Sequence, residues 1–253
     1  MTITYQDLTM YYEVYGNKDK TILILPGWGE TRNTFMDMIH ILQLEYTVYI
    51  VDYPGFGNSP FPDRELTMMD YAQLIAYFIQ TLQLKELYII AHSFGGRIAI
   101  LLSSQLAIYL PKLVLIDSAG IKPKRTLKSR LKTKIYKTLQ KLSNLLPTKW
   151  RKKAKNWLFQ KFASSDYYQL PAEQRSTFRN IINLDLTPYL PYVQAETLLL
   201  WGAKDIDTPL KDGIKMQRKI ANSELIIFPR STHFCYLENP YVIVKTILSF
   251  FTD

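Results

Sequence analysis

Short apolar runs, each bounded by Gly, Pro, Asp or Asn, recur along the 253-residue chain, with helix-length stretches between many of them. Residues 9–15 alternate in the manner of an antiparallel strand with one wet face. Residues 21–25, 47–51, 87–91, 113–117, 197–201 and 224–228 are almost continuously apolar, as strands must be in a sheet covered on both faces. Residues 36–44, 68–82, 94–106 and 240–251 have helical length and spacing. An early hairpin followed by alternating strands and helices predicts an α/β fold built on a mostly parallel, doubly wound sheet.

The alternation breaks between residues 121 and 187, where no strand-like run occurs. Leu127, Leu131, Ile135, Leu139, Leu142 and Leu146 recur at spacings of three and four, which places them on one face of a helix. Lys and Arg fill the other faces. Beyond Pro147 a second helical stretch carries Trp150, Trp157, Leu158 and Phe162. The pattern predicts a core made of residues 1–120 and 187–253, interrupted by a helical insertion over 121–186.

Charge sharpens this division. Between Lys122 and Lys161 there are fifteen Lys and Arg and no Asp or Glu. The sixteen basic residues elsewhere meet all twenty-two acidic ones, which leaves the rest of the chain at −6. A mildly acidic body therefore carries one strongly basic segment, a property that speaks to partners more than to fold. Three readings follow: a solvated lysine face, attraction of an anionic substrate, or peripheral contact with an anionic membrane surface. Nucleic acid is not expected, because no nucleic-acid-binding motif accompanies the charge. The single cysteine, Cys235, excludes an intramolecular disulfide and a Cys-rich metal site. The first residues lack a basic stretch ahead of an apolar one, and no apolar run reaches 18 residues, so a cytoplasmic protein is the expectation.

The candidate chemistry starts at Ala91-His92-Ser93-Phe94-Gly95-Gly96, directly after a predicted strand and before a predicted helix. A nucleophile elbow needs small residues two positions either side of its serine, because the sharp turn crowds its neighbours. A serine hydroxyl needs a base. Of three histidines, His92 adjoins the serine and should point elsewhere, and His40 sits in a predicted helix. His233 follows the last strand, at the sheet edge where catalytic groups of open α/β sheets collect. The base in turn needs a carboxylate to fix its tautomer. Asp205 is preferred, Asp207 also follows the strand 197–201, and Asp117 at the end of 113–117 is the runner-up. Leu25-Pro26-Gly27-Trp28-Gly29 would let backbone amides approach a ligand, which makes the N–H groups of Trp28 and Phe94 candidate oxyanion donors.

Five segments in this order, LPGWGE (25–30), DYPGFGNS (52–59), AHSFGG (91–96), LLLWGAKD (198–205) and STHFCYLENP (231–240), resemble the α/β-hydrolase superfamily. The resemblance covers nearly the whole chain outside the insertion. It implies Ser93 as nucleophile, Asp205 rather than Asp207 as acid, His233 as base, and a structural loop at 52–59. The insertion becomes a cap that sets substrate choice. Pro26, Ala91 and Thr232 stand where the family usually has His, Gly and Gly. What the family implies is a serine hydrolase for a carboxylic ester or related acyl compound, a small molecule, with no metal or organic cofactor. C–C bond hydrolases and a menaquinone-pathway lyase share the fold. The Ser-x-Gly-Gly-Arg form at 93–97 resembles the lyase's elbow, so Arg97 is a candidate substrate contact as well as a plain helix-surface or helix-packing residue. Non-catalytic ligand binders of this fold are the remaining alternative.

Overall fold

The continuous apolar runs form the middle of one sheet. The computed structural model describes the chain except residues 107, 123–126, 145–146, 148, 152, 155–156, 158–173 and 253, and except the side chains of 127–133 and 137. Among the described residues the sheet has eight strands: β1 (Thr2–Tyr5), β2 (Leu8–Tyr15), β3 (Thr21–Leu25), β4 (Thr47–Asp52), β5 (Leu87–His92), β6 (Lys112–Ile116), β7 (Glu196–Gly202) and β8 (Ser223–Phe228). Their order in space is β1-β2-β4-β3-β5-β6-β7-β8. The pairings β1–β2 and β2–β4 are antiparallel, and the others are parallel.

Every residue of β3 and β5 is buried, because both sheet faces are covered. The two-residue period of a strand sends alternate side chains to opposite faces. Ile22, Ile24, Ile90, Val114 and Leu200 therefore pack with α1 (Met36–Leu42) and the last helix, α8 (Pro240–Thr252). Leu23, Leu25, Ile89, Leu115 and Trp201 face the other way, toward α2 (Met68–Thr81), α3 (Phe94–Ser104) and α6 (Leu210–Gln217). The start of α2 is fixed by a capping box, in which Thr67 accepts from the Asp70 N–H and Asp70 accepts from the Thr67 N–H.

The predicted boundaries shift slightly. The helix expected over 36–44 ends at Leu42. The strand expected over 113–117 is Lys112–Ile116, which leaves Asp117 in a turn with φ 42°. Between β6 and β7 lie α4 (Leu127–Ser143) and α5 (Gln174–Asn183). The side chains of Leu127 and Leu131, and residues 146, 158 and 162, fall outside the described part. Of the rest of the apolar stripe, Leu139 is half-buried while Ile135 and Leu142 are exposed. None of the described helices is long and apolar enough to cross a membrane.

Candidate active site

The parallel strands all present their C-terminal ends on one side, and the functional side chains gather there. Ser93 follows β5 immediately and takes φ 46°, ψ −108°, a left-handed conformation that a non-glycine residue adopts only when its surroundings enforce it. The enforcement is visible at the two glycines that follow Phe94. A Cβ on Gly95 would sit 2.0 Å from the Leu25 carbonyl oxygen, and one on Gly96 would sit 2.0 Å from Ser118 Oγ. Two glycines thus let α3 start flush against the ends of β3 and β6. Ala91 two residues before Ser93 is fully buried and does not prevent the turn.

Ser93 Oγ lies 3.0 Å from His233 Nε2, and His233 Nδ1 lies 2.8 Å from Asp205 Oδ2. Since Nδ1–H donates to the carboxylate, Nε2 is free to accept the serine proton. Asp205 is 5 % exposed, and its other contacts hold it in place: Oδ1 accepts from the backbone N–H of Asp207 and Thr208, and Oδ2 lies 2.6 Å from Thr208 Oγ1. Burial raises the Asp205 carboxyl, but the hydrogen bonds and charge of His233 and Thr208 outweigh it and hold it below the usual range. Burial lowers His233, and the Asp205 hydrogen bond and charge more than reverse this, so its pKa ends above the ordinary histidine value.

The other candidate carboxylates are placed differently. Asp207 is exposed and gives Asp205 only its backbone N–H. Asp117 is fully buried and accepts from the backbone N–H groups of Gly202 and Cys235, which ties the ends of β6 and β7 to the short helix α7 (Cys235–Glu238). Burial pushes its carboxyl up to about 6. Asp205, Asp207 and His233 offer ligand atoms within 4.8 Å of one another, yet Asp205 and His233 already satisfy each other, so a metal ion would have to break that bond.

His40 is exposed on α1. His92 is fully buried and turns away from the serine. Its Nε2 donates to the His233 carbonyl at 2.8 Å, and its Nδ1 meets the Glu30 carboxylate at 2.9 Å. Glu30 also accepts from Gly27 N–H at 2.6 Å. Burial raises the Glu30 carboxyl, and His92 with the Gly27 N–H outweighs it, so the group stays below the usual carboxylate range. This chain of contacts links the Pro26–Trp28 loop to the loop of the base. Sequence reasoning gave no role to Glu30, although it closes the LPGWGE segment, or to Thr208, because their partners His92, Asp205 and Asp117 are brought to them by the fold.

A cavity of about 440 Å³ opens over Ser93 and His233. Trp28, Phe94 and Arg97 line it, with Phe178, Ile181 and Ile182 from α5. Phe94 opens α3, where first-turn N–H groups have no partner within the helix. The rings of Trp28 and Phe94 meet edge to face at 5.2 Å, and the buried Trp28 indole N–H finds no acceptor among the described residues. Arg97 is 4 % exposed and donates to the Leu184 carbonyl at 2.9 Å. Burial lowers its pKa to about 10, against the opposing charge of Asp185. It is thus no surface arginine. At 52–59 Asp52 accepts from Asn58 N–H, and Ser59 bridges the Tyr11 N–H and the Asp52 carbonyl, so that loop braces β2 against β4.

With this fold and cluster in place, the chain belongs to the alpha/beta hydrolase fold family, whose model matches residues 20–240. Among the proteins it resembles, "uncharacterized hydrolase YugF" of Bacillus subtilis (strain 168) is 26% identical over 98% of this chain and 96% of the relative. A "pimeloyl-[acyl-carrier protein] methyl ester esterase" of Wigglesworthia glossinidia brevipalpis is 26% identical over 95% of this chain and 96% of the relative. Among solved structures, a membrane phospholipase A superposes with a TM-score of 0.76 at 22% identity, covering 99% of this chain and 84% of that one. The protein is a hydrolase of this fold, and its named relatives include esterases.

Proposed function

We propose that the protein cleaves a carboxylic ester or related acyl compound through Ser93, His233 and Asp205. The observation that carries this reading is the unbroken hydrogen-bonded chain from Ser93 Oγ to Asp205, opening on a cavity. Ser93 Oγ attacks the carbonyl carbon as its proton passes to His233 Nε2. The charge that develops on the carbonyl oxygen is met by the N–H groups of Trp28 and Phe94. Asp205 stabilises the imidazolium, which then protonates the leaving alcohol. The acyl-enzyme is released when His233 deprotonates a water that attacks the same carbon. The helical segment 121–186 acts as the cap that selects substrates, and α5 supplies part of the cavity wall.

Arg97 is assigned to an anionic group of the substrate, in a cavity that Asp207 and Asp212 also line. A buried guanidinium with one backbone acceptor among the described residues has donors for a ligand in the cavity it lines. A carboxylate on the substrate would supply the missing acceptors and charge.

The test is labelling with a fluorophosphonate and hydrolysis of p-nitrophenyl esters. Wild type should be labelled, and Ser93→Ala should lose labelling and on the order of 10⁴-fold or more in turnover while staying folded. An unlabelled, inactive wild type would mark a ligand binder that keeps the fold without the chemistry. Arg97→Met should lower kcat/KM about tenfold to a hundredfold for an ester with a carboxylate in its acyl part, the value of a charged hydrogen bond. A matched neutral ester should be little affected; equal losses for both would make Arg97 a packing residue.

A further inference from the structure

We propose that the exposed lysines and apolar side chains of α4, with Lys149, Trp150 and Lys153, dock the protein on an anionic lipid bilayer. The basic residues of the segment between β6 and β7 are not balanced locally, since fifteen cations fall between Lys122 and Lys161 without one acid. Among the described residues Lys134, Lys141, Lys149 and Lys153 are exposed. Large apolar side chains are exposed among them: Ile135 at 42 %, Leu142 at 53 % and Trp150 at 65 %. On α4, Ile135 and Leu142 are seven residues apart and share a face, and Lys134 and Lys141 flank them by one position each. Apolar side chains between lysines can enter the headgroup boundary while the ammonium groups reach lipid phosphates. Trp is favoured at the same depth, with its ring in the apolar zone and its N–H toward water.

The partner's chemistry follows from the sign pattern. A folded acidic protein presents discrete carboxylates among cations and neutral groups, and its docking site gains from acids of its own that fix register. A bilayer rich in anionic lipid is a continuous negative plane, against which cations alone are favourable and an acid only repels. The rest of the chain, at −6, is repelled by such a plane, so the basic segment arrives first. The cavity also carries exposed apolar side chains. Ile182 and Phe234 line it and remain 41 % and 39 % exposed, and Ile206 beside Asp207 is 88 % exposed. An apolar rim of this kind would let an acyl chain pass from lipid toward Ser93, a consequence that rests on the hydrolase reading, whereas docking itself does not.

The experiment is co-sedimentation of the full chain with vesicles of phosphatidylcholine alone and of equimolar phosphatidylcholine and phosphatidylglycerol. Binding should be confined to the anionic vesicles and should weaken steeply as salt rises. Lys134→Gln with Lys141→Gln should weaken it about fivefold per lysine. Ile135→Ser with Trp150→Ala should also weaken it while leaving the charge intact. Far-UV circular dichroism and urea unfolding should be unchanged in both variants, which shows that they are folded and keeps this result independent of the hydrolase reading. Absence of binding to anionic vesicles at low salt would overturn docking. So would binding that the apolar variant retains in full and that soluble polyglutamate abolishes, since the segment would then be reading charge on an acidic polymer.

Discussion

At the scale of single residues, three carboxylates stand near the same edge of the sheet and only one meets the imidazole. Asp205 is buried, fixed by two backbone N–H groups and Thr208, and aimed at His233 Nδ1. Asp205→Asn should therefore lower kcat/KM by on the order of 10⁴, because the amide favours the wrong tautomer of the base. Asp207→Asn keeps the backbone N–H that Asp207 contributes, so its effect should stay within a few-fold. The reverse ranking in steady-state kinetics would reassign the acid. Under the proposed mechanism the same pair sets the pH dependence. His233 must be neutral to accept the serine proton, and Asp205 raises its pKa above the ordinary value. The acid limb of kcat/KM should thus have its midpoint above about 6.5 and move down in the residual activity of Asp205→Asn.

At the scale of elements, the site is a joint between β3, β5 and α3 rather than a set of side chains. The joint depends on the absence of a Cβ at position 95, where the obstacle is the backbone carbonyl of Leu25 and cannot rotate away. Gly95→Ala should push the Pro26–Trp28 loop off the elbow. The expected result is a loss of hydrolysis by orders of magnitude and about 1–3 kcal/mol of stability, the range for overpacking. Gly29 is a control in the same loop. Its φ of +77° makes an alanine strained, but a Cβ there meets nothing within 4 Å. Gly29→Ala should cost about 1 kcal/mol and leave the elbow in register. Urea unfolding and kcat/KM on the two variants would separate close approach from backbone strain. Glu30 and His92 bear on the same joint from below, since they connect Gly27 N–H to the carbonyl of His233.

At the scale of the whole molecule, the ends of the central strands are tied by Asp117, whose carboxylate is buried with no cation bonded to it among the described residues. Burial raises it to about 6; the side-chain hydrogen bond of Cys235, the N–H of Gly202 and the charge of His92 oppose the rise, and the charge of Asp205 adds to it. The folded state therefore holds this proton more tightly than the unfolded chain does. The contribution is fully present below the unfolded value and is lost as pH rises through about 6, at a cost of about 3 kcal/mol at most. Unfolding of wild type and Asp117→Asn should be compared between pH 4 and pH 7. Relative to the variant, wild type should lose stability across this interval. A constant difference would show that Asp117 titrates with an ordinary carboxyl pKa.

The sequence by itself determined what depends on neighbours along the chain. Apolar runs named the strands; β3 and β5 are buried throughout, whereas β8, expected to be covered on both faces, lies at the edge of the sheet and buries only Phe228. The small residues around Ser93 marked a strained turn, because the same few residues create the turn and must fit it. With three histidines, position along the fold was enough to single out His233. What only the tertiary structure decided are contacts between residues far apart in sequence. Glu30 meets His92 across 62 positions because β3 and β5 lie side by side, an arrangement that no local spacing records. Helical periodicity put Arg97 one turn beyond Ser93, but whether that face met solvent or cavity depended on α5 and the Leu184 carbonyl arriving from another part of the chain. Likewise an apolar stripe on α4 reads in sequence as a face to be buried, whereas Ile135 and Leu142 lie exposed. A pattern states that a face is apolar; only the assembled neighbours decide what, if anything, covers it.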